Sequence, residues 1–293
     1  MKYRIVHKTS YAYSEPASLF QTEARLTPRT FKKQNCINSK FDITPQPVNL
    51  RKRTDFFGNT VQYFAIDSPH KNLLITVTSD VEIKNNDSQL SQDIAWEEAV
   101  RYIKKEHNFD ALEARSFVLD SPLIVVTQEL LDYGMVSFPP GRPLIEAVQD
   151  LMTRIFKDFS YSPGFTTITT PLSQVMKHRR GVCQDFAHLA IGCLRAMKLA
   201  ARYISGYIET IPPPGKPKLV GADASHAWFS VYVPDVCWID FDPTNNQIPE
   251  NRHITVAWGR DYSDVPPLKG VFFGGGTHEL RVSVDVEPTS QRE

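Results

Sequence analysis

Three residues far apart in the chain have the types that thiol chemistry needs: Cys183, His226 and Asp242. Cys183 stands near the start of GVCQDFAHLAIGCL, residues 181–194. There Cys183, Phe186, Ala187, Ala190, Ile191, Leu194 and Met197 recur at the three-and-four spacing of one helical face. The pattern predicts an apolar helix that opens at the cysteine. Unpaired backbone N–H groups and the positive end of the helix dipole at that position favour a thiolate, the nucleophilic form, over a thiol.

His226 falls in ASHAWFSVYV (224–233), whose alternation places His226, Trp228, Ser230 and Tyr232 on one face of a strand. Asp240 and Asp242 share a face of the next strand, CWIDFD (237–242). With a turn centred near Pro234 or Asp235, His226 and Asp242 become cross-strand neighbours, opposed or diagonal, roughly 5–8 Å apart. An aspartate that accepts a hydrogen bond from one imidazole nitrogen fixes the tautomer and leaves the other nitrogen to exchange a proton with a thiol. Such a Cys–His–Asp arrangement suits nucleophilic catalysis by the thiolate, passing through an oxyanion. The backbone N–H of Cys183 is the natural first donor to the oxyanion. Tyr161 and Gln184 are near Cys183 in sequence, with no direction implied.

Other residues of reactive type read as structural. Cys193 and Cys237 are expected to be small core residues, His188 to face away from Cys183, and Asp185 to be a first-turn carboxylate favoured by the dipole. Trp228, Trp238 and Tyr207 suit a core as well as a cleft. A metal site built from Cys183, His226 and Asp242 lacks a paired-ligand motif, so no metal and no cofactor is expected.

The elements that must position these residues follow from patterning. The 293 residues hold 33 Lys plus Arg against 33 Asp plus Glu, without long runs of one sign, which gives no support to nucleic-acid binding. The N-terminus lacks an apolar signal region and no run is long enough to span a bilayer, so the expectation is a cytoplasmic protein without membrane association. Four cysteines without a CxxC pair are expected to be free thiols. Alternation around Tyr3 and Ile5, and from Leu73 to Ile83, predicts strands, with turn chemistry at 57–60 between them. The polar stretch 85–93 suggests a boundary between a β-rich domain, 1–88, and a helical lead-in plus catalytic domain, 89–293. Ser91 or Asp93 suits the cap of a helix with Trp96, Val100 and Ile103 on one face. Pro143 opens another with Leu144, Val148, Leu151, Met152 and Ile155. Residues 159–171 read as a loop ending in Thr170 as cap and Pro171 as first residue of a short helix. Strands are expected at 201–209 and 280–288, and an exposed loop at 211–218.

GVCQDFAHL, SHAW and FDPT, in that order, resemble the transglutaminase-like superfamily. The resemblance implies an α+β fold with a papain-like core, in which the cysteine helix packs on an antiparallel sheet. It assigns the nucleophile to Cys183, the proton shuttle to His226 and the orienting carboxylate to Asp242, with Asp240 a neighbour. TSYAYSEP, DFFGN and RDYSDVPPLKGVFFGGGTHEL are similar to bacterial members described as cysteine proteases, which carry an N-terminal β domain. Hydrolysis of a peptide or protein amide is the activity implied. Protein-glutamine transamidation and a non-catalytic binding module are the alternatives. There is no room for the extra β domains of animal cross-linking enzymes and no acidic run suited to calcium.

Overall fold

The structure, a computed structural model, describes residues 1–84, 93–210 and 225–289. The expected loop 211–218, Ser91 and nearly all of the 85–93 boundary lie outside those residues. N-terminal alternation runs on into one long strand, β1 (Lys2–Ala24), followed by β2 (Gln34–Thr44), β3 (Asn49–Thr54), β4 (Thr60–Ile66) and β5 (His70–Ile83). They form an antiparallel sheet in the order β2-β5-β1-β4-β3.

Helices α1 (Trp96–Lys105), α2 (Phe109–Arg115), α3 (Gln128–Met135) and α4 (Leu144–Asp158) come next. Asp93 caps a different helix from the one expected. Its carboxylate accepts the Ile145 and Glu146 N–H groups at 2.9 and 3.3 Å, at the start of α4. An antiparallel bridge between Ala95 and Pro143 brings the two segments together, so a distant helix supplies the orphan donors. Strand β6 (Ser160–Tyr161), helix α5 (Leu172–His178) and strand β7 (Arg180–Gly181) lead to α6 (Cys183–Ala196). Thr170 does not cap α5: its hydroxyl accepts the Thr167 N–H at 2.8 Å within the preceding loop.

Strands β8 (Ala201–Ile208), β9 (Ser225–Val233), β10 (Cys237–Phe241) and β11 (His253–Gly259) form a second antiparallel sheet, ordered β10-β9-β8-β11. Phe229, Val231 and Val233 share an apolar cluster with Ala187, Ala190, Ile191 and Leu194 of α6. Trp228, Ile204 and Trp258 form a separate cluster with Phe31 and Phe57 of the N-terminal region. The sheet is thus covered by the cysteine helix on one side and by N-terminal residues on the other. No helix among the described residues is long and apolar enough to cross a membrane.

The last two strands, β12 (Leu268–Gly274) and β13 (His278–Pro288), were grouped by sequence with the catalytic segment, yet both pair antiparallel with β1. Alternation identifies a strand but carries nothing about its partner. Two side-chain amides join the N-terminal half to β11 where the β8 register slips between Thr255 and Ala257. Gln34 donates to the Thr255 carbonyl and accepts its N–H, both at 2.8 Å. Asn59 does the same for Trp258 at 2.8 and 2.9 Å. They complete backbone pairing that a bulged edge strand would otherwise leave open.

Gly206 pairs with His226 across β8 and β9. A Cβ there would lie 2.2 Å from the Ile254 carbonyl oxygen and 2.4 Å from the Trp228 ring, against backbone and a buried indole. Gly206→Ala is therefore expected to destabilise the fold by about 3 kcal/mol, read as a lower urea midpoint. An unchanged midpoint would mean that Trp228 can move aside.

Candidate active site

The chain enters α6 through a braced turn. Strands β6 and β7 pair in parallel, and the Ser162 N–H donates to the Gly181 carbonyl at 2.8 Å. The buried Asp185 carboxylate accepts the Val182 N–H at 2.8 Å and the Thr166 hydroxyl at 2.6 Å. A side chain at position 181 would meet that carboxylate at 2.8 Å, so glycine is required for the close approach. Gln184 donates to the Ile168 carbonyl at 3.2 Å. Asp185 thus acts as the first-turn carboxylate expected of it, and it also ties down the loop that precedes α5. Cys183 emerges half-buried, close enough to His226 to help raise its imidazole.

His226 is buried on β9 and donates from Nε2 to Asp242 Oδ2 at 2.8 Å. Phe241 pairs with Phe229, so continuing the register sets Asp242 opposite Trp228. His226 is then the diagonal neighbour on the same face, one of the two relations expected from the alternation. Since Nε2 is engaged by the carboxylate, Nδ1 is the nitrogen left for the thiol.

Asp242 is fully buried, and both of its oxygens are saturated. Oδ1 accepts the backbone N–H groups of Thr244 and Asn245 at 3.0 and 3.2 Å. Oδ2 accepts from His226, from the Asn245 amide at 2.7 Å and from His253 Nε2 at 2.9 Å. Burial opposes the charge on Asp242, but hydrogen bonds from His226, His253 and Asn245 outweigh it and hold the carboxyl well below the usual range. Burial also opposes charge on His226. The hydrogen bond to Asp242 and the charge of that carboxylate, with a further contribution from the side of Cys183, overcome this and raise the imidazole to about 10. His226 is therefore a cation at neutral pH, facing the sulfur.

His226, Asp242 and His253 bring three potential ligand atoms within 4.8 Å of one another. The Asn245 amide nitrogen, a donor with no lone pair to offer a metal, shares the same carboxylate oxygen. The distances from the carboxylate to the two imidazoles are hydrogen-bond lengths.

Asp240 stands beside the site and is engaged elsewhere, by the Trp228 indole at 3.3 Å and the Ser230 hydroxyl. His188 is buried and accepts the Tyr262 N–H at 3.1 Å, and burial lowers its imidazole to about 4. Cys193 is a core residue whose thiol burial pushes up to about 12. Cys237 is not: it is exposed, at φ +94°, where β10 leaves its tight turn. All four cysteines are free. Sequence reasoning did not single out His253 or Asn245. Asn245 closes the FDPTNN turn that the aspartate motif opens, and His253 is the one imidazole of the apolar run HITVAWG.

A half-buried cysteine opening a helix, with a strand histidine bonded to an aspartate just past the end of the adjacent antiparallel strand, defines an α+β protein with a papain-like core. Residues 3–82 match the model of the bacterial transglutaminase-like N-terminal region, and residues 138–243 that of the transglutaminase-like superfamily. An uncharacterized protein of Mycobacterium tuberculosis (strain ATCC 25618 / H37Rv) is 40% identical over 296 residues, 98% of this chain and 93% of the relative. Another, from Mycobacterium leprae (strain TN), is 31% identical over 287 residues, 97% of each chain. A protein-glutamine gamma-glutamyltransferase of Pseudomonas aeruginosa is 28% identical over 110 residues, 35% of this chain and 16% of that one. The crystal structure of a candidate cysteine protease from Cytophaga hutchinsonii shares the fold with a TM-score of 0.74 at 20% identity, over 99% of this chain and 92% of the other. The chain belongs to the transglutaminase-like superfamily.

Proposed function

We propose that the protein is a thiol-dependent acyl-transfer enzyme acting on peptide or protein amides, with hydrolysis as the outcome. The observation that carries the reading is the 2.8 Å bond from His226 Nε2 to Asp242, which leaves the other ring nitrogen free for the Cys183 thiol. In the first step the Cys183 sulfur forms a bond to the amide carbonyl carbon, and the carbonyl π electrons move to oxygen. The Cys183 N–H at the start of α6 receives that oxyanion, a donor worth about 3–4 kcal/mol. The intermediate collapses as the C–N bond breaks, and His226 delivers its proton from Nδ1 to the departing amine. The now neutral imidazole takes a proton from water, whose oxygen attacks the thioester and frees the acid and the thiol. Asp242 stays ionised throughout and holds the ring. The half-buried Cys183 leaves the thioester within reach of water.

Transamidation, in which a primary amine replaces water, uses the same residues and is favoured by the Pseudomonas relative's stated activity. A peptide library supplied with and without a labelled amine separates the two: free acid supports hydrolysis, amine incorporation supports transfer. The underlying pair is tested without a substrate. Iodoacetamide is expected to label Cys183 ahead of Cys36, Cys193 and Cys237 near neutral pH, and about tenfold more slowly in His226→Ala, mapped by mass spectrometry. Labelling of Cys183 no faster than that of Cys36 and Cys237, unchanged by that substitution, favours a non-catalytic module.

A further inference from the structure

We infer that His253 is a positioning residue of the candidate site, fixing the Asp242 carboxylate so that Oδ2 meets the His226 ring in line. The inference rests on the Cys183–His226–Asp242 reading proposed above. Asp242 receives its remaining donors, the Thr244 and Asn245 N–H groups and the Asn245 amide, from the turn that directly follows it. These donors belong to the same segment of chain as Asp242 itself. His253 comes from another strand, two places from β9, and its buried ring reaches the same oxygen at 2.9 Å. An ionised carboxylate only accepts, so Nε2 of His253 carries the proton. Its ring is edge-on to Trp228 at 5.1 Å, which leaves the imidazole little freedom to turn.

The position of His253 depends in turn on the N-terminal half. Strand β11 is the edge of its sheet, and Gln34 and Asn59 clamp its outer backbone at Thr255 and Trp258. The β-rich half thereby acts on the site through β11, His253 and Asp242 rather than as a separate module. This gives a physical reason for two N-terminal side-chain amides to be buried against that strand.

A donor at the Nε2 position is separable from a ring of the same size. Glutamine reaches with an amide N–H close to where Nε2 stands, asparagine falls short, and phenylalanine keeps the ring without a donor. With iodoacetamide as the probe at pH 7, His253→Gln is expected to label Cys183 within about twofold of the unmodified protein. His253→Phe and His253→Asn are expected to be about tenfold slower. A His253→Phe protein that labels normally, or a His253→Gln protein as slow as His253→Phe, overturns the inference and points to packing alone. If His226→Ala leaves labelling unchanged, the pair itself is absent and both readings fall, whereas a slow His226→Ala beside a normal His253→Phe removes only this one. A second measurement avoids substitution of His253. Proton NMR should show two slowly exchanging imidazole N–H resonances that both shift in Asp242→Asn, and a shift of only one rejects the shared carboxylate.

Discussion

Asp242→Asn is expected to lower turnover of any amide substrate by about 10⁴-fold, with little change in KM. Both faces of this side chain are surrounded by donors, two backbone N–H groups on Oδ1 and three side-chain N–H groups on Oδ2. Whichever way an asparagine turns, its NH₂ group meets N–H groups. The backbone donors cannot change, so the amide oxygen stays with them and the NH₂ faces His226. That imidazole can accept only by giving up its Nε2 proton, which leaves it neutral with its one proton on Nδ1, so that nitrogen can no longer take the thiol proton. The fold survives with the wrong tautomer, and the loss falls on kcat. Cys183→Ala, which removes the nucleophile, should be at least as damaging, and Cys183→Ser in a site shaped for sulfur should not recover it. The measurement is steady-state kinetics on whichever peptide the unmodified protein cleaves. An Asp242→Asn enzyme within tenfold of normal would show that the carboxylate does not set the tautomer.

That the histidine and aspartate could be paired from sequence has a local cause. They lie sixteen residues apart on two strands joined by a tight turn, so period-two alternation and the turn position fix their faces together. Cys183 was legible because helical spacing begins at that residue. His253 was hidden because every side chain of β11 is buried, so the strand shows no alternation to mark a face. Its partner Asp242 is reached through the sheet order β10-β9-β8-β11, which no local pattern records. The same limit explains β12 and β13: their alternation was visible, but pairing with β1 joins the two ends of the chain. Cys237 was misplaced because small and apolar describes a core cysteine and an exposed turn residue equally well.

The same charges give thermal stability a maximum near pH 6.5, with a different set of residues on each flank. His226 is raised to about 10 in the fold against about 6.5 unfolded. Its contribution is complete below about 6.5 and is lost as pH rises toward 10. His7 and His188 have the opposite sign. Burial lowers each to about 4, so the native state keeps them neutral while the unfolded chain takes up protons below about 6.5. His7 lies between the Thr9 hydroxyl at 2.9 Å and the Tyr207 hydroxyl at 3.0 Å, and neither partner rewards an added charge. Stability should therefore fall from about pH 6.5 toward pH 4. Asp242, held below the usual carboxylate range, adds a further loss as pH drops below about 4. The melting temperature recorded from pH 3 to pH 10 is expected to be bell-shaped. His226→Gln should flatten the alkaline flank between about 6.5 and 10 and leave the acid flank nearly intact. An alkaline flank unchanged in His226→Gln would mean that the imidazole beside Cys183 is not held as a cation in the folded protein.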